Sequence, residues 1–378
     1  MVNKAERGRA AGGIGDGAAR GSGRWTPERA AAWAREQPWI VGCNFTPSTA
    51  VNQLEMWQAE TFDIPTIERE LALAAGLGMN AVRVFLHDLA WAVDPTGFLG
   101  RLERFLSAAA GRGIRTMPVL FDDCWHPDPA PGRQPEPVPG VHNSRWLQSP
   151  GVKAAVDPGC EARLRAYVQA VVAAHRSDDR VLAWDLYNEV GNFFLPAMSR
   201  PPLEKAVRLA GAMLALHLRP IPTLPLLRTS FAWVRGIAPS QPLTTSVWFP
   251  HPRLSRELAG LSDIVSFHDY RPVPDLERRI RELRRHGRPL LCTEFMARTS
   301  GSTFQTHLPV FRREGIGCFC WGLVSGRTQT IWSWKDRPGS AEPSTWFHDI
   351  LRPDGTAFDD DEVDVLRRET AAARSARR

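Results

Sequence analysis

Residues 181–190 read VLAWDLYNEV. Val181, Leu182 and Ala183 lead in, and Trp184, Leu186 and Val190 continue an apolar run that reads as a buried strand. Asn188 and Glu189 stand at its end. A carboxylate at the mouth of such a strand either caps the next helix or works chemically. Seven other short runs are similar: WIVGCNF (39–45), AVRVFL (81–86), RTMPVLF (115–121), LTTSVW (243–248), DIVSFHDY (263–270), PLLCTEF (289–295) and GCFCWGLV (317–324). Amphipathic segments lie between several of them. IERELALAAGLG stops at Gly76–Gly78, and LGRLERFLSAAAGRG stops at Gly111 and Gly113. Strand–helix alternation with strands apolar on both faces predicts a parallel (β/α)8 TIM barrel, with a doubly wound sheet as the alternative.

The long connections follow strands 1, 3, 4 and 8. In a barrel these βα loops build the active face. Loop 4 is too long for one helix. Residues 226–239 are expected as the barrel helix, and 202–220 as an extra apolar helix that roofs the site or joins a second subunit as a homo-oligomer. The division expected is a disordered basic tail over 1–24, one barrel domain over 25–366 and a basic tail over 367–378.

Composition excludes several classes of function. The net charge is +6, but residues 1–24 carry +3 and residues 367–378 carry +4, which leaves the body at −1. The excess sits in the tails, so it marks no nucleic-acid groove. No apolar run reaches the roughly 18 residues of a membrane span. No secretory leader opens the chain, and the six cysteines (Cys43, Cys124, Cys160, Cys292, Cys318, Cys320) are scattered, which together predict a reduced cytoplasmic protein. The histidines lack metal-ligand spacing, so neither a metal nor a cofactor is expected. A phosphate-binding barrel would want a glycine-rich turn after strands 7 or 8; loop 8 carries VSGRTQ, but loop 7 lacks one.

Two strands end in glutamate, Glu189 on strand 4 and Glu294 on strand 7. In a barrel both point into the mouth, and opposed carboxylates are what glycoside hydrolysis requires. The order Arg83, Asn188-Glu189, His268-x-Tyr270, Glu294, Trp321 resembles clan A of the glycoside hydrolases. It is most similar to family 5, the cellulase and β-mannanase-like group. The resemblance spans residues 39–350 and implies a retaining β-glycosidase acting on oligosaccharides by double displacement. It implies Glu189 as acid/base and Glu294 as nucleophile, with Asn188 bonding the sugar 2-hydroxyl. Arg83 and Tyr270 would hold the nucleophile, and His268 and Trp321 would line the subsite of the attacked sugar.

Arg83 beside Glu294 is expected to depress that carboxyl and keep it ionised. Family 5 commonly has a histidine near the end of strand 3, where this chain reads LFDDCWHP. Asp122 and His126 are therefore candidate sugar contacts. So are Trp57 and Trp125, within a set (Trp146, Trp248, Trp321, Trp332, Trp334) that falls at strand ends and loops, because indole faces stack on sugar C–H faces. Asn52, Gln53 and Glu55 on loop 1 could add polar contacts. Transglycosylation on the same two glutamates is an alternative, as is a non-catalytic carbohydrate-binding barrel.

Overall fold

The computed structural model describes residues 23–192, 220–249 and 251–375, with single positions between 193 and 219. Eight parallel strands make one sheet. They are β1 (Val41–Asn44), β2 (Ala81–Phe85), β3 (Arg115–Val119), β4 (Trp184–Asp185), β5 (Leu243–Thr244), β6 (Val265–His268), β7 (Leu290–Phe295) and β8 (Gly317–Trp321). Each lies within its predicted run. The order β5-β4-β3-β2-β1-β8-β7-β6 becomes a ring through the parallel bridge Val247–Phe267. The chain is a (β/α)8 TIM barrel.

Strands 4 and 5 are shorter than the sequence predicts. β4 is bracketed by isolated bridges, Thr116–Val181 and Asp122–Asn188, so its regular ladder covers only the middle of an extended run. Eight helices follow the eight strands: Ile64–Gly76, Pro95–Ala110, Glu161–Ala174, Leu224–Ile237, Pro252–Leu261, Val273–Arg284, Phe304–Arg313 and Asp360–Ser375. Local chemistry starts and stops them. Asp63 and Asp94 accept from Thr66 N and Gly97 N, each ahead of a proline in the first turn. Gly78 and Gly113 then take the left-handed conformation just beyond the two helix ends. The last helix runs to Ser375, so residues 367–375, expected as part of a basic tail, continue a helix. Residues 1–22 and most of 202–220, with the proposed extra helix, lie outside the described residues.

The barrel's N-terminal end has its own apolar cluster. Ile40, Met117, Leu182, Ile264, Leu291 and Phe319 pack beneath Trp25 and Ala30, which the helix Pro27–Glu36 brings across the bottom. In β1, Gly42 is required. A Cβ there would sit 2.1 Å from the Ala81 carbonyl oxygen. The polar residues are gathered at the opposite, C-terminal end.

Candidate active site

Arg83 on β2 lies at the centre of that end and is fully buried. Its five N–H groups make five bonds. Two go to Asp185 Oδ2 (3.0 and 2.8 Å), and one each to Asn44 Oδ1 (2.8 Å), Glu294 Oε1 (2.9 Å) and Asn188 Oδ1 (2.7 Å). A buried guanidinium is tolerated when its donors are met this fully. The network fixes the ends of β1, β4 and β7 relative to one another.

Glu294 ends β7 with both oxygens engaged. Oε1 accepts from Arg83, and Oε2 accepts from the Tyr270 hydroxyl at 2.8 Å. Glu189 follows β4 with φ +46, in the left-handed region. Such a conformation costs of order 1–3 kcal/mol and is characteristic of functional sites. Its Oε2 accepts from the Asn192 amide and from the Cys124 thiol at 3.3 Å. His268 Nδ1 lies between the two carboxylates, 2.6 Å from Glu189 Oε1 and 3.3 Å from Glu294 Oε2. One oxygen of each glutamate and a His268 ring nitrogen all fall within 4.8 Å of one another.

Burial dominates the electrostatics. It pushes the Glu294 carboxyl up to about 7, against the opposing pull of His268 and Arg83 and aided by the neighbouring Glu189 charge. The expected depression by Arg83 is thus outweighed by desolvation. Burial raises Glu189 as well, and drives His268 down to about 3, so its ring is neutral. The Glu189, His268 and Glu294 trio has the donor set of a cation site, as does Glu103, His175 and Asp178. In the second set the Arg180 guanidinium already bridges Glu103 and Asp178. In the first, His268 Nδ1 hydrogen-bonds Glu189 Oε1 and lies 3.3 Å from Glu294 Oε2.

A cavity of about 320 Å³ opens over these groups. Of the predicted residues, Glu189, Glu294, Asn188, His268, Tyr270, Trp321 and Trp125 line it, as do Trp146, Trp248 and Trp334 of the tryptophan set. Arg83 and Asp122 lie beneath it. Asp122 accepts from Asn188 Nδ2 (2.9 Å), Trp146 Nε1 (2.7 Å) and Cys124 N (2.9 Å), so it orients Asn188. Trp57 and His126 are corrections to the sequence reading. Trp57 is fully buried against Phe62, Phe98 and Phe105, with its indole N–H on the Phe85 carbonyl. His126 is on the outside, with Nε2 2.8 Å from the Ser144 carbonyl. Asn52 and Gln53 are buried and tie loop 1 to loop 3 through Gln134, Arg145 and Leu147.

The sequence reading missed His142, Asn143, Asn192 and His348, which also line the cavity. Loops 3 and 8 carry three of them, and those loops are joined by a seam. Asn143 N donates to the Thr328 carbonyl (2.9 Å), Gly140 N to Gln329 Oε1 (2.9 Å) and Gly339 N to the Pro139 carbonyl (2.8 Å). Nothing in the local spacing of either loop announces this pairing.

No family model matches the chain, and no curated protein matches it. Solved structures share its fold. A GH5_18 protein variant from Streptomyces cattleya, in complex with Manb1-4GlcNAc, superposes with TM-score 0.57 at 15% identity, covering 90% of this chain and 81% of that one. An exo-beta-1,4-mannosidase from Opitutaceae bacterium strain TAV5 gives 0.55 at 20% identity, over 93% of this chain and 62% of that one. A glycoside hydrolase family 5 mannosidase from Rhizomucor miehei gives 0.54 at 12% identity, over 90% and 94%. At these identities the likeness establishes a common barrel.

Proposed function

We propose that the chain is a retaining β-glycoside hydrolase of the family 5 type, with Glu294 as nucleophile and Glu189 as acid/base. The observation that carries this reading is the asymmetry of two carboxylates from β4 and β7. Their oxygens approach within 4.8 Å, and only Glu294 is bonded by both Arg83 and Tyr270. A spacing of roughly 5–5.5 Å suits direct attack, whereas inversion leaves roughly 6.5–9.5 Å for a water. Two carboxyls this close in a buried site hold one charge between them, and the Arg83 and Tyr270 donors favour it on Glu294.

In the first step Glu294 attacks the anomeric carbon while the Glu189 proton passes to the leaving oxygen. The glycosidic C–O bond breaks and an ester to Glu294 forms. Negative charge has then left Glu294, and Glu189, now a carboxylate, takes a proton from water. That water attacks the anomeric carbon and releases Glu294, with net retention. Neutral His268 can serve Glu189 throughout, donating from Nδ1–H to the carboxylate and accepting in the other tautomer. Because the fold's neighbours include mannosidases, β-mannosides are the first substrates to test.

The test uses p-nitrophenyl β-D-mannopyranoside and β-D-glucopyranoside, with the initial product anomer read by NMR. Retention is expected. Glu294→Gly should lose on the order of 10⁴-fold in kcat and regain turnover with azide, giving a glycosyl azide of inverted anomer. Glu189→Gly should slow poor leaving groups most, since only acid catalysis depends on leaving-group basicity. An inverted first product, or identical leaving-group behaviour in both variants, would sink the assignment.

A further inference from the structure

The geometry points to Asn143 and His348 as a pair of hydrogen-bond acceptors that select a neutral sugar by the hydroxyls it donates. The inference rests on the glycosidase reading and deepens it. Both residues line the catalytic cavity, Asn143 from loop 3 and His348 from loop 8.

Each holds a buried polar atom without a partner among the described residues, Asn143 Oδ1 and His348 Nε2. His348 is fully buried and Asn143 is 2% exposed. An unmet buried polar atom costs about 1–3 kcal/mol, so a partner supplied by a ligand is worth that much to binding. The character of His348 Nε2 follows from the other side of the ring. Nδ1 lies 2.5 Å from the Met296 carbonyl, which can only accept, so Nδ1 carries the hydrogen. Burial keeps the ring neutral, well below its ordinary range. Nε2 is therefore a bare lone pair, as an amide oxygen is at Asn143.

Both groups are held in place before any ligand arrives. Asn143 has φ +47, a left-handed conformation that asparagine tolerates, and its backbone is pinned to Thr328 across the seam. His348 packs against His142 and Trp334, with ring centroids at 5.2 and 5.9 Å. The Tyr270 ring, whose hydroxyl bonds Glu294, is 5.5 Å from His348. His348 thus stands beside the residue that holds the nucleophile, and Asn143 lines the same cavity. Sugar hydroxyls can donate to both, whereas a carboxylate or phosphate would bring lone pairs to the lone pair of His348 Nε2. The two cations on the cavity wall do not change this. Arg271 is paired with Asp269, and Arg279 with Glu282.

The experiment compares the better of p-nitrophenyl β-D-mannopyranoside and β-D-glucopyranoside with its 3-, 4- and 6-deoxy and deoxyfluoro forms. Fluorine cannot donate, so both replacements at a recognised position should lower wild-type kcat/KM by roughly 10- to 100-fold. In Asn143→Ala or His348→Ala the penalty at the matching position should shrink to about twofold or less. Each penalty is a ratio within one protein, so a fall in folded fraction cancels. His348→Gln, which keeps an acceptor, should retain part of the penalty. Penalties unchanged in both alanine variants, or deoxyfluoro forms that act like the parent, would overturn the proposal. If the wild type cleaves neither parent glycoside, the hydrolase reading is what fails. Tryptophan quenching by mannose against its deoxy forms, in the same variants, then decides the acceptor pair by the same ratios.

Discussion

Arg83 and Asp123 are both fully buried charges at the catalytic end, and they are met differently. Arg83 has two carboxylate partners and a bond for every donor. Asp123 has no cation partner among the described residues. It accepts from the Tyr187 hydroxyl (2.8 Å), Gly191 N (2.6 Å) and the Thr223 hydroxyl (2.5 Å), which ties both ends of loop 4 to the start of loop 3. Burial still pushes its carboxyl from the ordinary 3.8 up to about 7. A raised folded-state value means the folded form holds its proton more tightly than the unfolded one. The resulting stabilisation is complete below about 3.8 and is lost as pH rises through 7. Asp123→Asn keeps the shape and removes the titration. The melting-temperature advantage of wild type over Asp123→Asn is therefore expected to fall steadily between pH 4 and pH 8. A difference that stays flat, or grows with pH, would contradict burial as the dominant influence on this group.

Elements explain what the sequence could and could not announce. Strand ends are legible, because an apolar run that stops in a polar residue fixes both a place and a direction. That is why Glu189, His268 and Glu294 stand out in the sequence, whereas Arg83, in the middle of β2, is marked only by the family resemblance. Trp57 misled for the same reason that it was noticed. It follows a strand, but the five-residue helix Gln53–Trp57 turns its indole inward onto Phe62, Phe98 and Phe105. Asn143 and His348 were invisible because their neighbours arrive from a loop nearly 200 residues away, and that pairing has no period. The seam is also testable. Gln329 bridges it, accepting from Gly140 N and donating to the Val138 carbonyl at 3.0 Å. Gln329→Ala removes two bonds worth about 1 kcal/mol each and should loosen the wall on that side. The expected result is a severalfold rise in the ratio of activity on β-1,4-linked mannotetraose to that on mannobiose. An unchanged ratio in the folded variant would mean that the seam does not limit chain length.

At the scale of the whole molecule, the two ends of the barrel have separate work. Every residue assigned a chemical role lies at the C-terminal ends of the strands or on the loops that follow them. The N-terminal end carries an apolar plug instead, covered by Trp25 and the helix Pro27–Glu36. Trp25 is bound there from several directions. Its N–H donates to Asp263 Oδ1 (2.8 Å), its carbonyl accepts from Arg288 (2.7 Å), and the Arg29 guanidinium lies 4.0 Å from its ring. Truncating a buried aromatic of this kind costs about 3 kcal/mol. Trp25→Ala should therefore lower the melting midpoint by roughly 5 °C or more. It should leave kcat/KM within about twofold of wild type well below that midpoint, since substitutions without shared partners act independently. Arg83→Lys should do the reverse to activity. A lysine has three donors where the site needs five, so Glu294 or Asn188 loses its anchor and kcat falls steeply at any temperature. If Trp25→Ala cut kcat as deeply as Arg83→Lys while the fold stayed intact, the two ends of the barrel would be mechanically coupled through the strands.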